Sequence, residues 1–209
     1  IDTSNGKLGV MTENSDNAFM PATINPFYMV CYSYNGGETK ISADLSSYMN
    51  GYQDPRREIY GVTSTFDESE NITNGFHGLR VGNEYPIKTG QCYSNVKVEV
   101  SSPIMWMNAA EVMFLRAEAA LRGWDTEKTP KAYYEAGIRL SFEQLGAKNV
   151  EDYLVSTNTP ESYKDPLGTY SFSGTPSTIS VQWKDGNFEE SLERIITQKW
   201  IANFPLGLE

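Results

Sequence analysis

The chain is poor in the residues on which many catalytic and metal sites depend. Its 209 residues include one histidine, His77, and two cysteines, Cys31 and Cys92. A single histidine makes neither a catalytic triad nor a histidine-rich metal site available within the chain. Two cysteines are too few for a disulfide framework, and the sequence leaves open whether they pair or stay reduced. We therefore expect no cofactor and no bound metal.

Basic residues are also scarce, with 17 Lys and Arg against 27 Asp and Glu, which gives a formal net charge of −10. An acidic surface repels phosphate backbones, so we expect no nucleic-acid partner. Residues 17–37 carry no charge and have the length of a membrane span. Pro21, Pro26 and three asparagines within this stretch argue against a spanning helix. We expect this part of the chain to be soluble.

Apolar and aromatic residues are present in ordinary globular proportions, 39% and 12%, so the chain can bury a real core. The most informative stretch is residues 105–124, in which only four side chains are charged. Its apolar seam runs through Met107, Ala110, Phe114, Ala117 and Leu121. A helix that is apolar nearly all round is buried on most sides. We predict such a helix here, ending at Gly123.

A second helix follows after a short loop. Thr129 is predicted to cap it, Pro130 to occupy its first position and Gly146 to end it. Because the loop is short, the two helices should lie antiparallel. The pair resembles a hairpin of the tetratricopeptide type, whose repeats are about 34 residues long. The alternative is an ordinary hairpin within a helical bundle.

The remaining sequence predicts a mainly α fold, with tetratricopeptide-like helical hairpins and a loop-rich flank containing short strands. Residues 1–100 form the loop-rich segment, and residues 101–209 contain the hairpin, a long loop and a further helix, all within one larger domain. Further helices are predicted at residues 42–50, 150–156 and 188–204. Strands are predicted at residues 26–35, 58–66 and 96–100. Irregular loops are predicted at residues 67–95 and 157–186.

The wording of four segments resembles one family. AEVMFLRAEAALRGW and YYEAGIRLSFEQLG make up the predicted hairpin, MNGYQDPRREIY precedes it and ERIITQKWIANFPLGLE follows it. Their order and spacing are similar to those of the SusD/RagB family of Bacteroidetes outer-membrane nutrient-binding lipoproteins. The resemblance covers roughly residues 41–209. We interpret the chain as a fragment from the C-terminal half of such a protein.

The resemblance implies binding and no catalysis. A protein of this type would lie at the outer face of the cell outer membrane, attached by an N-terminal lipid that this chain lacks. It would bind oligosaccharides and deliver them to a SusC-like TonB-dependent transporter. Peptide binding, as in the RagB branch, is the first alternative. A tetratricopeptide-like protein-interaction scaffold is the second, and a glycosidase is the last.

Aromatic residues suggest where a glycan would bind. Sugar rings present apolar faces on which aromatic side chains stack, while Asn and Arg bind the hydroxyls. A candidate platform combines rings with neighbouring polar side chains: Tyr32, Tyr34, Tyr60, Phe76, Arg80, Asn83 and Tyr85. The alternative is that these rings fill a loop-rich subdomain.

Acidic residues offer weaker candidates. Asp67, Glu68 and Glu70 are better interpreted as a solvated loop than as a glycosidase pair, which needs two carboxyls held on rigid elements. Glu13 and Asp16 lack the spacing of a calcium loop and favour a polar turn. We therefore predict no catalytic residue.

Overall fold

The computed structural model describes residues 6–8, 24–34, 38–64, 75–83 and 92–206, with the backbone alone for 6–8 and Tyr34. In chain order the elements are β1 (Gly6–Leu8), α1 (Pro26–Tyr28), a π-helix (Met29–Tyr34), α2 (Ala43–Gly51), α3 (Arg57–Tyr60), β2 (Ile104–Met107), α4 (Ala109–Leu121), α5 (Pro130–Leu145), α6 (Val150–Leu154) and α7 (Phe188–Ala202). Within the described residues, no helix is both long and apolar enough to cross a bilayer.

Helices α4 and α5 form the predicted antiparallel hairpin. Phe114 lies against Tyr134, with ring centroids 6.3 Å apart, and Arg116 lies 4.5 Å from the ring of the adjacent residue, Tyr133. Gly137 allows the close approach, because a Cβ there would lie 2.8 Å from the Phe114 ring. The small and apolar faces of the two helices therefore supply much of the core.

Local capping chemistry explains where α5 begins and ends. The Thr129 Oγ1 accepts a hydrogen bond from the Ala132 amide at 3.2 Å, and Pro130 occupies the first position. Gly146 ends the helix at φ +68°, and Gly123 follows α4 at φ +78°. These predictions are confirmed.

The predicted start of the first helix at residue 105 is wrong. Asn108 caps α4, since its Oδ1 accepts from the Ala110 amide at 3.0 Å. The preceding residues form β2, which pairs antiparallel with β1 in a two-stranded sheet. Strand pairing and the asparagine cap together outweigh the apolar helical pattern of residues 105–107.

One predicted strand is helical in its described residues, a second begins with a helical turn and continues only as isolated β-bridges at Gly61 and Ser64, and the third is reduced. Residues 26–34 form α1 and the π-helix, because Asn25 Oδ1 accepts from the amides of Phe27 and Tyr28 at 2.8 and 3.3 Å. Within 58–66, α3 closes with a 2.9 Å bond from the Tyr60 amide to the Arg56 carbonyl. Of 96–100, only Val96 forms a β-bridge, with Gly61. The aromatic and branched residues serve burial more than strand pairing.

The other helices agree more closely with prediction. Ser42 caps α2, Asn149 precedes α6 and Asn187 caps α7. Ile195 and Ile201 of α7 are fully buried in the same core as the hairpin. That core also includes Ile41, so it draws on both the loop-rich and the helical segments.

A buried ion pair joins the helices at the centre of the fold. Arg56 and Asp54 have fully buried side chains and approach to 2.6 Å. The same guanidinium donates to Ser141 Oγ on α5 at 2.9 Å and to Gln198 Oε1 on α7 at 2.8 Å. The Tyr153 hydroxyl of α6 donates to Asp54 at 2.7 Å. One cation therefore connects the DPRR segment to three helices.

The long segment 157–186 has no regular structure but packs closely on the helices. The Glu161 amide donates to the Ser47 carbonyl at 3.1 Å. Tyr52 and Tyr134 each donate a hydroxyl to the far part of the segment, to the carbonyls of Ile179 and Val181 at 3.0 and 2.7 Å. Both ends of the segment are thus fixed to the core.

Candidate ligand-binding site

Two of the sequence-predicted platform residues lie together on an exposed turn. Arg80 and Asn83 begin and end this turn, with a 3.4 Å bond from the Asn83 amide to the Arg80 carbonyl. Gly82 allows its φ of +83°. Leu79, just before the turn, donates to the Ile41 carbonyl at 2.7 Å and accepts from the Ala43 amide at 2.9 Å. The start of α2 thereby fixes the position of the turn.

A loop at residues 163–172 lies against this turn. The Tyr163 hydroxyl donates to the Gly78 carbonyl at 2.6 Å. The Arg80 guanidinium lies 5.7 Å from the Phe172 ring and donates to the Tyr170 carbonyl at 3.4 Å. We call the surface formed by Arg80, Asn83, Tyr170 and Phe172 the arginine platform.

The arginine platform presents both apolar and polar groups. Val81 at its edge is 83% exposed, and the rings of Tyr170 and Phe172 are half-buried. The Nδ2 of Asn83 lies below the surface, and no hydrogen-bond partner for it occurs in the described part of the chain. A ligand with an apolar face and hydrogen-bonding substituents would complement such a surface.

The hydroxyls beneath the arginine platform are held in the protonated form. Burial, and then the charge of Asp165, raises the pKa of Tyr163. Burial and the hydrogen bond to Asp165 raise the pKa of Tyr93 in the same way. Both hydroxyls therefore keep their protons at neutral and moderately alkaline pH and continue to donate hydrogen bonds within the protein.

Three of the remaining predicted platform residues, Tyr32, Tyr60 and Phe76, do not join Arg80. Tyr60 and Phe76 are only 6% and 7% exposed, with the Tyr60 ring 4.9 Å from Phe204. Neither ring presents a face to solvent, because both fill the core. Tyr32 is half-buried and donates its hydroxyl to the Val96 carbonyl. The Tyr34 side chain and all of Tyr85 lie outside the described residues.

Sequence reasoning missed the two aromatic residues of the platform, Tyr170 and Phe172. Both fall in the stretch predicted as an irregular loop. Their signal was an aromatic pair flanked by Gly168 and Gly174, a composition that places rings on an exposed loop. Nothing local indicated that Phe172 would meet Arg80.

A second candidate is a cleft of about 550 Å³ at the ends of α5 and α7. Its walls include Phe27, Tyr60, Met105, Trp106, Gln144 and Phe204. Trp106 is 71% exposed, and the buried Oε1 of Gln144 accepts no hydrogen bond from the described residues. The cleft therefore combines apolar walls with an unused acceptor.

The acidic candidates remain predictions, because they lie outside the described residues. No group of three or more metal-ligating side chains occurs in the described residues. Asp67, Glu68, Glu70, Glu13 and Asp16 all lie outside them.

The structure also gives the state of the two cysteines and of one helical charge pair. Cys31 and Cys92 are buried thiols that do not form a disulfide with each other. Glu118 pairs with Arg122 at 2.7 Å, at the i,i+4 spacing that brings helical side chains together.

Comparison with known proteins places the chain in one family. A family model for SusD-like proteins, described as "Susd and RagB outer membrane lipoprotein", matches residues 2–209. No functionally curated protein matches the chain. The chain therefore belongs to the SusD-like family of outer-membrane lipoproteins, which confirms both the resemblance and the mainly helical fold.

Solved structures agree with this placement. A SusD homologue from Bacteroides ovatus is 46% identical with a TM-score of 0.81, over 88% of this chain and 39% of that one. One from Bacteroides thetaiotaomicron is 43% identical with a TM-score of 0.79, over 88% and 40%. A chitin-binding SusD homologue from Flavobacterium johnsoniae is 39% identical with a TM-score of 0.77, over 90% and 38%. The chain spans about two fifths of the length of these structures.

Proposed function

We propose that the chain is part of a non-catalytic protein that binds oligosaccharides at the outer face of the outer membrane. The observation that carries the proposal is the arginine platform, in which the Arg80 guanidinium lies beside the half-buried Phe172 ring, donates to the Tyr170 carbonyl and is three residues from Asn83, whose Nδ2 has no partner among the described residues. Membership of the SusD-like family supports the same conclusion.

The platform groups suit different parts of a sugar. The ring of Phe172 would stack on the apolar face of a pyranose. Arg80, already oriented by Phe172 and the Tyr170 carbonyl, would donate its remaining N–H groups to ring hydroxyls. The ligand would supply an acceptor for the Asn83 Nδ2, which has none among the described residues. Because the surface is open, an internal stretch of a long glycan can bind as well as its end.

The ligand to be tested first is chitohexaose. The 39% identical homologue from Flavobacterium johnsoniae is chitin-binding. The acetamido groups of such a glycan carry both a donor and an acceptor, which fits a surface that presents Arg80 and Asn83.

Delivery to a transporter completes the proposed role. We infer that the whole protein presents its glycan to a SusC-like TonB-dependent transporter and is attached to the membrane by a lipid. Support for this step comes from the family alone. Co-purification of the full-length protein with such a transporter would test it, and a full-length protein that stays alone in detergent extracts would contradict it.

Isothermal titration of the full-length protein with hexasaccharides, chitohexaose included, tests the glycan proposal. Phe172→Ala removes a stacking ring and Arg80→Ala removes a charged donor, so each should weaken binding about tenfold, which corresponds to about 1.4 kcal/mol. Trp106→Ala, in the cleft, is the matched aromatic control and should leave the affinity within about twofold. Glycan binding that survives both platform variants, or release of cleaved sugar, would contradict the proposal.

Peptide binding in the cleft is the second candidate. The Gln144 Oε1, which accepts no hydrogen bond from the described residues, favours peptide binding, because a peptide N–H would donate to it. The apolar walls around Trp106 would accept side chains. In this case Trp106→Ala would abolish binding of a mixed peptide library, whereas Phe172→Ala would not.

A further inference from the structure

The 163–172 loop is organised around one buried carboxylate. Asp165 is 6% exposed, and its Oδ2 accepts hydrogen bonds from the amides of Thr169 and Tyr170 at 3.0 and 3.1 Å. Its own amide donates to Ser171 Oγ at 2.9 Å, and its carbonyl accepts from the Gly168 amide at 2.9 Å. These bonds fold the loop back onto Asp165, near its start.

The same carboxylate ties the loop to the rest of the protein. Asp165 Oδ1 accepts from the Tyr93 hydroxyl at 2.8 Å and lies 3.4 Å from the Tyr163 hydroxyl oxygen. Tyr163 also bonds to the Gly78 carbonyl, two residues before Arg80. One side chain therefore fixes the aromatic half of the arginine platform relative to the turn that carries its cation.

Three donors bond to this carboxylate, the Tyr93 hydroxyl and the amides of Thr169 and Tyr170, and no cation pairs with it among the described residues. Hydrogen bonds to an ionised acceptor are stronger than neutral ones and hold their donors in a narrow range of geometry. A carboxylate that only stabilised the core would not need to bond the amides of Thr169 and of the half-buried Tyr170. The position of these hydrogen bonds indicates that the carboxylate sets the conformation of the loop.

We propose that Asp165 is a positioning residue for the ligand surface: it holds Tyr170 and Phe172 beside Arg80 before the glycan arrives. The inference rests on the proposed function and deepens it. Without the carboxylate, the loop samples other conformations, and the apparent affinity falls in proportion to the fraction that remains competent to bind. Asp165 itself makes no contact with the ligand.

Two substitutions separate positioning from simple packing. Asp165→Ala removes the acceptor for the Tyr93 hydroxyl and for the amides of Thr169 and Tyr170. Asp165→Asn keeps an oxygen for the two amides and offers an N–H to the Tyr93 hydroxyl, which can rotate and accept. The asparagine variant should therefore restore most of what the alanine variant loses, and Tyr93→Phe should have an intermediate effect.

The first measurement is amide hydrogen exchange in the unliganded full-length protein. In Asp165→Ala the amides of Thr169 and Tyr170 should exchange about tenfold faster or more, while that of Ile138 in α5 stays protected. Asp165→Asn should remain close to the wild type. Unchanged exchange at Thr169 and Tyr170 in the alanine variant would overturn the inference. Loss of protection at Ile138 as well would also overturn it, because Asp165 would then support the whole fold.

The second measurement is glycan affinity with the hexasaccharide that binds the wild type most tightly. Asp165→Ala should weaken binding about tenfold or more, and Asp165→Asn by less than about threefold. A wild type that binds none of the hexasaccharides overturns the proposed function. A wild type that binds, with an alanine variant that binds equally well, overturns only the positioning role of Asp165.

Discussion

Replacing Arg56 with methionine should lower the free energy of unfolding by about 3–5 kcal/mol, because it leaves a buried charge without its partner. The Asp54 carboxylate has no exposed side-chain area and receives two bonds from the guanidinium, at 3.0 and 2.6 Å. Methionine has a comparable length but donates no hydrogen bond. Only the Tyr153 hydroxyl, at 2.7 Å, and the Arg56 amide, at 2.9 Å, would still bond to the carboxylate.

The loss extends beyond the ion pair. Ser141 and Gln198 also accept hydrogen bonds from the guanidinium, at 2.9 and 2.8 Å, and both side chains are buried. The cation also lies 5.0 Å from the centre of the Phe142 ring. These contacts place the expected value toward the upper part of the range.

Guanidinium-induced unfolding followed by tryptophan fluorescence measures the effect. Arg57→Met is the matched control at the adjacent position. The Arg57 side chain is 34% exposed and approaches Glu58 only to 3.9 Å, so the change should stay within about 0.5 kcal/mol. An Arg56→Met variant that loses less than about 1 kcal/mol would refute the reasoning. The double variant Asp54→Asn/Arg56→Met should be more stable than Arg56→Met alone, since it removes the uncompensated charge.

Two further stability predictions follow from the core. Gly137→Ala should destabilise the protein by about 1–3 kcal/mol, since the new Cβ would lie 2.8 Å from the Phe114 ring. Gly174→Ala, where the new Cβ meets open space, is the control and should be near neutral. The denaturant midpoints of the two variants measure the difference, and equal midpoints would contradict the prediction. Burial raises the pKa of Tyr134, and it raises that of Tyr60 to about 12. The folded state therefore binds these protons more tightly than the unfolded state, whose tyrosines titrate near about 10. Stability should be complete below pH about 10 and fall above it, so a denaturant midpoint that is unchanged between pH about 9 and about 11 would contradict the prediction.

Helix caps, which act within a few residues, were predictable from the sequence, whereas contacts between residues far apart in the chain were not. Thr129 and Gly146 act on the backbone within a few residues, so their roles as caps of α5 followed from residue type and spacing. Residues 26–35 misled the prediction because their aromatic and branched composition is typical of strands. The Asn25 side chain, which bonds to two following amides, starts a helix there instead.

The role of Arg56 shows the same limit in the core. The QDPRR and QKW segments indicated the family, but the sequence did not show which contacts they make in the fold. Arg56 and Gln198 are separated by 142 positions and meet only in the folded protein. No periodicity or local pattern reports such a contact, because it depends on how the helices pack together.

The candidate site was half predictable for a related reason. Arg80 and Asn83 were identified from composition within one stretch. Their aromatic neighbour Phe172 comes from the segment 157–186, which the sequence presented as an irregular loop. Tyr60 and Phe76 were included because they are aromatic, but they lie in the core. Residue type alone does not distinguish a ring that binds from a ring that is buried.

The segment 157–186 has a consequence for how relatives can diverge. Its anchoring bonds lie at Glu161 near one end and at Ile179 and Val181 near the other, and its tip carries Tyr170 and Phe172. Substitutions, insertions or deletions at the tip would leave the anchors in place and cost little, since lengthening a tethered loop adds only a small closure entropy. Under the proposed function, selection could therefore change ligand preference at this tip while the helical scaffold stays the same.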